Sequence, residues 1–425
     1  LRGYDPPNDL ISVYLGQPVL SGKRTPTFSE SIHFSNERSF RGFCLSMSIP
    51  VSMKAQTVKT QFSHSILNRM TICSAWSLGL MLGCATSVAP PGIEELPRSP
   101  YWNAPEVLEL TRHAEEHRSD ALIIVQDEQL IYRAGQTVEK INTHSVRKSI
   151  MAVLYGIAIE KGLLNLGDTL EGLGYDDLET PLTSIEKQAT IRDLLTSRSG
   201  IYIDASGQNW QRPQRHSSKP GESFFYNNWG FNALGEILER KAGMPLGEII
   251  VEWLAKPLGM QHFTGNDVDW DNIDGSSVKQ YVIYMSADDL TRVALLVAND
   301  GVYQGKRLVS ANWIREMTTA HSSAETDAKK LFGGGFFDGY GYLWWTRYQH
   351  GRRLICADGW GGQYIIIDPE TRLVLINRRN TGTHLLAQGW FLWRGEETDR
   401  PYIYQLFENI NQLLRAKEAS SASVP

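Results

Sequence analysis

The chain has 425 residues, 42% hydrophobic and 21% charged, which is enough apolar material for a large core and unlike a disordered or low-complexity chain. A net charge of −5 and a pI near 6.1 give no reason to expect nucleic acid as a partner. Charge is uneven along the chain: residues 1–83 hold eight Lys/Arg against four Asp/Glu, so a basic leader precedes an acidic body.

Residues 1–52 show no periodicity and scattered Pro, Ser and Arg, and read as an uncertain or disordered extension, with Met47 or Met53 as candidate starts. Residues 53–83 read as a signal peptide: Lys54, Lys59 and Arg69 precede an apolar run from Met70 to Gly83 that is too short to span a bilayer comfortably. The run ends Leu82-Gly83-Cys84-Ala85, similar to a bacterial lipoprotein cleavage site with Cys84 as the lipidated residue; an ordinary cut near Ala85 or Ala89 is the alternative. Both readings export the protein, and Ala85 after the cysteine favours a periplasmic protein lipid-anchored to the outer membrane. Contact with membrane is then expected through the lipid alone. With the leader gone only Cys84 and Cys356 remain, so no structural disulfide is expected, and Cys356 reads as a small buried hydrophobe.

Residues 84–104, with Pro90, Pro91, Pro97 and Pro100, are expected to form a tether. A helix is predicted from Pro105 to His117. Within it, His113 to His117 fits the H-x-x-E-H pattern of inverse zincins, but no clear third ligand stands nearby, so a charged helix face is the preferred reading and no metal is expected. The two apolar runs of ALIIVQDEQLIYRAG, around Asp127-Glu128, predict a hairpin.

The segment SVRKSIMAVLYGIAIEKGLL follows, in which Ser145 precedes Lys148 by three residues. On a helix that spacing puts hydroxyl and amine on one face. A serine alcohol is a weak nucleophile until a neighbouring base takes its proton, and a partly desolvated lysine can serve. From about 160 to 285 the pattern is helical with long loops, including the periodic NALGEILERKAG (232–243), closed by glycine. Tyr226, roughly eighty residues after the serine, and Asn228 supply a second acid/base group and an amide. Short strand-like runs dominate residues 339–380: YGYLWWTRY, RRLICAD, QYIIIDP and RLVLINRR. Their aromatic residues Tyr340, Tyr342, Trp344 and Trp345 read as sheet core in preference to cleft lining. Between two of these runs lies Gly359-Trp360-Gly361-Gly362. Glycine there lets backbone approach a substrate closely, and a backbone N–H of that turn can share an oxyanion with the N–H of Ser145. Trp360 is the candidate donor, with its ring as a pocket wall. Helix and strands, then a helical middle, then strands, predict an α/β domain with an inserted helical subdomain.

Ser145-x-x-Lys148, Tyr226-x-Asn228 and the glycine turn, in this order, resemble the penicillin-recognising serine hydrolases of class C β-lactamase type. IRDLLTSRSGI (191–201), PLGMQHFTGND (257–267) and MSADDLTRVALLVANDGVYQGKRLVSANWI (285–314) add to the resemblance, which covers roughly 105–410. It implies an α+β, β-lactamase/transpeptidase-like fold: an antiparallel sheet flanked by helices, with a helical subdomain at about 160–285, a hydrolase domain over 105–415 and a disordered tail at 416–425. It implies Ser145, Lys148 and Tyr226 as catalytic residues, Ser145 and Trp360 as oxyanion donors, and Asn228, Asp358, Gly359 and Gly361 as substrate-binding residues, with no cofactor. The family's K-T-G or H-x-G triplet falls at Ala357-Asp358-Gly359, where no basic residue stands; an aspartate is expected to repel the carboxylate of a penicillin. The chain in this respect is similar to the esterase and aminohexanoate-oligomer hydrolase branch. The expected activity is hydrolysis of a small-molecule amide or ester, the alternatives being a β-lactamase, a D,D-peptidase or a non-catalytic binding lipoprotein. On this reading Asp358→Lys is expected to gain cephalosporin turnover.

Overall fold

The computed structural model describes residues 92–112, 114, 119–208, 211–271, 277–323, 336–382 and 400–422. The extension at 1–52, the signal peptide at 53–83, the lipidation candidate Cys84 and the histidines of the H-x-x-E-H pattern lie outside the described residues.

In chain order the elements are α1 (Pro105–Thr111), β1 (Ala121–Gln126), β2 (Gln129–Gly135), β3 (Ile141–Asn142), α2 (Val146–Glu160), α3 (Ile191–Leu195), α4 (Asn228–Ala242), α5 (Leu246–Ile250), α6 (Lys256–Leu258), β4 (Val268–Asp271), β5 (Gln280–Met285), α7 (Ala287–Ala298), β6 (Val302–Tyr303), β7 (Lys306–Arg307), α8 (Ala311–Thr318), β8 (Ser322–Ser323), β9 (Gly339–Tyr340), β10 (Trp345–Gln349), β11 (Arg352–Gly359), β12 (Gln363–Asp368), β13 (Leu373–Arg378) and α9 (Arg400–Ala422). One antiparallel sheet of eight strands runs in the order β2-β1-β13-β12-β11-β10-β9-β8. The expected hairpin is its β1–β2 edge, and the four apolar runs of 339–380 supply β9 to β13.

The sheet separates two helical layers, and strand alternation decides what each layer meets. On β11, Arg352, Cys356 and Asp358 point to the face covered by α9, where they meet Glu408, Tyr404 and Arg400. Ala357 and Gly359 point to the other face, against α2 and the strand that leads into it. α2 is apolar nearly all round and buried along almost its whole length, as a central helix must be. α4 opens on Asn227, whose side chain accepts from the Trp229 N–H, and closes at Gly243 with φ +69°, the left-handed stop that glycine permits.

Three boundaries differ from the sequence reading. Part of the expected tether is packed: Ile93 and Leu96 are buried in the core, and Ser99 N–H donates to Leu130 O at 3.0 Å, because two apolar side chains outweigh the prolines around them. The segment 160–285 also carries β4 and β5, and β5 pairs with β3 just before the nucleophile candidate. The expected tail is helical through Ala422, since Lys417 reaches Glu106 of α1 at 2.9 Å and keeps the last turns on the domain.

Candidate active site

Ser145 is the N-cap of α2, so its hydroxyl and its N–H sit at the open end of a helix whose first N–H groups lack intrahelical acceptors. One turn on, Lys148 is 2% exposed, with Nζ 3.0 Å from Ser145 Oγ and 2.7 Å from Tyr226 Oη. Lys148 Nζ thereby bridges the Ser145 hydroxyl and the Tyr226 phenol, which are close enough to influence each other electrostatically. The fold thus brings Tyr226, remote in sequence, beside Ser145 and Lys148.

Aromatic rings hold this cluster dry. Tyr226 stacks on Trp345 at 5.5 Å between centroids and meets Phe231 edge-on at 4.8 Å, while Lys148 Nζ lies 4.3 Å and 4.7 Å from the Tyr226 and Phe231 ring centroids. Burial, and then the guanidinium of Arg147, hold the Lys148 amine well below its ordinary range. Burial pushes the Tyr226 phenol up, against the opposing pull of the Ser145 hydroxyl and Arg147. The site thus sets an amine shifted toward its neutral form against a phenol shifted toward its own, both within reach of one alcohol. Such a cluster can accept the alcohol's proton and return it elsewhere.

The glycine turn closes the site. A Cβ at Gly359 would stand 2.9 Å from Thr143 O and 3.2 Å from Ser145 N, so only glycine lets the end of β11 lie against the nucleophile's backbone. Gly361 and Gly362 have φ of +75° and +88°. Trp360 is 37% exposed, and its ring meets the edge of His144 at 5.1 Å.

The Beta-lactamase family model matches residues 108–385, a span that takes in all three motifs and the sheet. The chain belongs to the beta-lactamase family. It is 24% identical over 300 residues to the 6-aminohexanoate-dimer hydrolase of Paenarthrobacter ureafaciens, covering 63% of this chain and 74% of that one. Among solved structures it is similar in fold to a putative 6-aminohexanoate-dimer hydrolase from Bacillus anthracis, with 16% identity, a TM-score of 0.50, and coverage of 71% of this chain and 82% of that one. It is likewise similar to EstCE1, a hydrolase with promiscuous acyltransferase activity, with 16% identity, a TM-score of 0.51, and coverage of 72% and 98%. Family and relatives together make this chain a hydrolase.

Within this beta-lactamase-family site, Asp358 differs in placement from the sequence reading, and Asn228 is held by the 207–208 loop. Asn228 Nδ2 donates to Gly207 O at 2.6 Å, its N–H donates to Gln208 Oε1 at 2.9 Å, and its buried Oδ1 has no partner among the described residues. Asp358 lies on the α9 face of β11 and is paired with Arg400, Oδ2 to Nε at 2.8 Å and Oδ1 to Nη2 at 2.9 Å. Burial raises its carboxyl while Arg400 opposes that. The expected repulsion of a substrate carboxylate therefore meets a compensated ion pair rather than a bare charge. No basic residue takes the triplet's place on the α2 side either, since Ala357 and Gly359 occupy it.

Sequence reasoning missed three residues that shape the site. Arg147, inside the motif, is 2% exposed. His144 has φ +45°, and its Nε2 lies 2.8 Å from Thr381 Oγ1. Trp345, expected in the core, is 5% exposed and also forms the wall behind Tyr226. The one available signal was the adjacency of His144, Arg147 and Lys148 around a serine, three basic residues in five positions of an otherwise apolar helix start. Cys356 is free and buried, as expected, with burial pushing its thiol up to about 12.

Proposed function

We propose that the protein is a serine hydrolase that cleaves small amides or esters through an acyl-enzyme on Ser145. The observation that carries this is the Lys148 amine, buried, shifted toward its neutral form and 3.0 Å from Ser145 Oγ. Ser145 Oγ attacks the substrate carbonyl as its proton passes to Lys148 Nζ. The N–H groups of Ser145 and Trp360 receive the developing oxyanion, a single donor of this kind contributing about 3–4 kcal/mol. Tyr226 Oη, 2.7 Å from Nζ, relays the proton to the leaving amine or alkoxide. Water then enters, gives a proton back along the same path, and releases the acid. The unpartnered Asn228 Oδ1 is suited to accept an N–H from an amide substrate.

The similarity to a 6-aminohexanoate-dimer hydrolase and the absence of a basic residue at 357–359 favour linear amides and esters over penicillins. Incubation with p-nitrophenyl butyrate, a fluorescent penicillin and a linear ω-amino-acid amide, followed by intact mass and product release, tests this. Expected is a butyryl adduct on Ser145 with turnover of ester or linear amide, absent in Ser145→Ala. Faster release from the penicillin would move the reading to a β-lactamase; turnover near wild type in Ser145→Ala would sink the mechanism. Export as a lipoprotein remains a proposal on the sequence pattern of residues 53–85; loss of palmitate labelling in Cys84→Ala is its expected signature.

A further inference from the structure

Arg147 lies beside Lys148 on α2 and is 2% exposed. Its Nη2 donates to Asn232 Oδ1 of α4 at 3.2 Å, and its guanidinium carbon lies 4.3 Å from the centroid of the Tyr281 ring on β5. Its Nη1 is buried without a hydrogen-bond partner, and no carboxylate among the described residues lies within ion-pair distance. A buried guanidinium is costly unless a carboxylate compensates it, and the same sheet supplies such partners to Arg352 and Arg400. Asn232, the isosteric amide of aspartate, stands where a counter-ion would fit.

We infer that Arg147 is a positioning residue for the nucleophile's base: a fixed cation without a carboxylate partner, set beside Lys148, that adds to burial in disfavouring an ammonium there and so leaves the amine able to take the Ser145 proton. The catalytic consequence rests on the acyl-enzyme reading; the charge state of Lys148 does not. The surroundings of Lys148 leave this role open to Arg147. From α2 it meets Ser145; from the turn before α4 the Tyr226 phenol, and from α4 the uncharged Phe231 ring. The Tyr281 phenol of β5 faces Arg147, and the Tyr340 phenol of β9 lies against Tyr226. His144, just before the nucleophile, is held neutral, and Arg378 of β13 adds a second buried cation spent on the carbonyls of Met285 and Ile141. The carboxylate of this neighbourhood, Asp358 of β11, is engaged by Arg400. Two aromatic faces and a phenol oxygen around Nζ would otherwise favour an ammonium. Burial and a neighbouring cation work against it, and the same guanidinium also disfavours protonation of His144.

The test reads the proton on Lys148 directly. In the full chain labelled with 13C-lysine, the Lys148 Cε signal, assigned by its loss in Lys148→Met, is followed against pH. Removing the cation in Arg147→Met is expected to raise the titration midpoint by roughly one to two pH units. Asn232→Asp, which sets a carboxylate against the guanidinium with Arg147 in place, is expected to raise it in the same direction and serves if Arg147→Met does not fold. Arg147→Lys is expected to stay nearer to wild type. The acid limb of kcat/KM for p-nitrophenyl butyrate should move up with the midpoint. An unchanged Lys148 midpoint in both Arg147→Met and Asn232→Asp overturns the inference, as does a loss of activity equal at every pH. A raised midpoint in a protein whose wild type never acylates Ser145 would uphold the inference and sink the hydrolase reading.

Discussion

Beneath α9, Arg352 Nη1 lies 2.7 Å from Asp368 Oδ2 and its Nη2 lies 2.7 Å from Glu408 Oε1, with Asn411 Nδ2 donating to the same aspartate at 2.6 Å. Across the sheet, on α2, Arg147 and Lys148 are buried as deeply, with no carboxylate at either among the described residues. Burial raises the Asp368 carboxyl, but Asn411, the Glu370 N–H and Arg352 outweigh it and leave it below its ordinary range. Burial lowers the Lys148 amine, and its cationic neighbour adds to that. The comparison teaches what each face is for. Where every buried charge has a partner, titration is suppressed and the helix is fixed; where a cation is left uncompensated, a neighbour is pushed toward a reactive protonation state.

The largest expected effects come from breaking each face once. Lys148→Met, which keeps the volume among the rings of Tyr226 and Phe231, should lower kcat/KM about 10³-fold or more while leaving the thermal midpoint unchanged or raised. Glu408→Ala leaves Arg352 paired with Asp368 but strips the buried Nη2 of its partner, and should cost about 1–3 kcal/mol in urea denaturation, with activity per folded molecule kept. A Lys148 variant that unfolds, or a Glu408 variant that is stable but inactive, would erase the contrast between the faces.

A comparable effect is expected from Asp358→Lys. Read from sequence, that change restores a basic residue and should favour cephalosporins. In the fold it removes the partner of Arg400 and puts two cations together on the α9 face. The expected outcome is a loss of about 2–4 kcal/mol with no gain of cephalosporin turnover, and partial recovery of stability in Asp358→Lys/Arg400→Glu. Cephalosporin turnover in the single variant would show that position 358 faces the substrate after all.

This case marks where the sequence was legible. Ser145 and Lys148 could be paired because helix geometry fixes residues three apart, and β11 to β13 because apolar runs broken by turns are a local signal. Gly359 could be singled out because only the lack of a Cβ explains a glycine there. Asp358 was read as a bare charge because its partner lies 42 residues away, beyond any local pattern. Arg147 was passed over for the same reason: its burial is decided by Asn232 and Tyr281, which α4 and β5 bring to it. Asn228 could be singled out from its motif as substrate-binding, but that the 207–208 loop takes its donors could not be read from it. Identity and spacing carry the reacting groups; which charges are compensated is a property of long-range packing.

His144 sharpens the comparison with the smallest effect. Burial, then Arg378, Arg147 and Lys148, hold its imidazole down to about 3, so the folded protein keeps it neutral throughout the range in which the unfolded chain, with an ordinary value of 6.5, takes up a proton. A depressed folded value means that this stability is present in full above pH 6.5 and is lost progressively as pH falls toward the folded value. Between pH 6.5 and 5 the loss from this residue is about 2 kcal/mol. Most carboxylates stay ionised in that window, so His144→Gln, whose amide can still meet Thr381, should flatten the fall in urea-denaturation stability from pH 7 to 5 relative to wild type. Parallel pH curves for the two proteins would mean that His144 is protonated in the fold, and that the uncompensated cations around Ser145 do not set the charge of their neighbours.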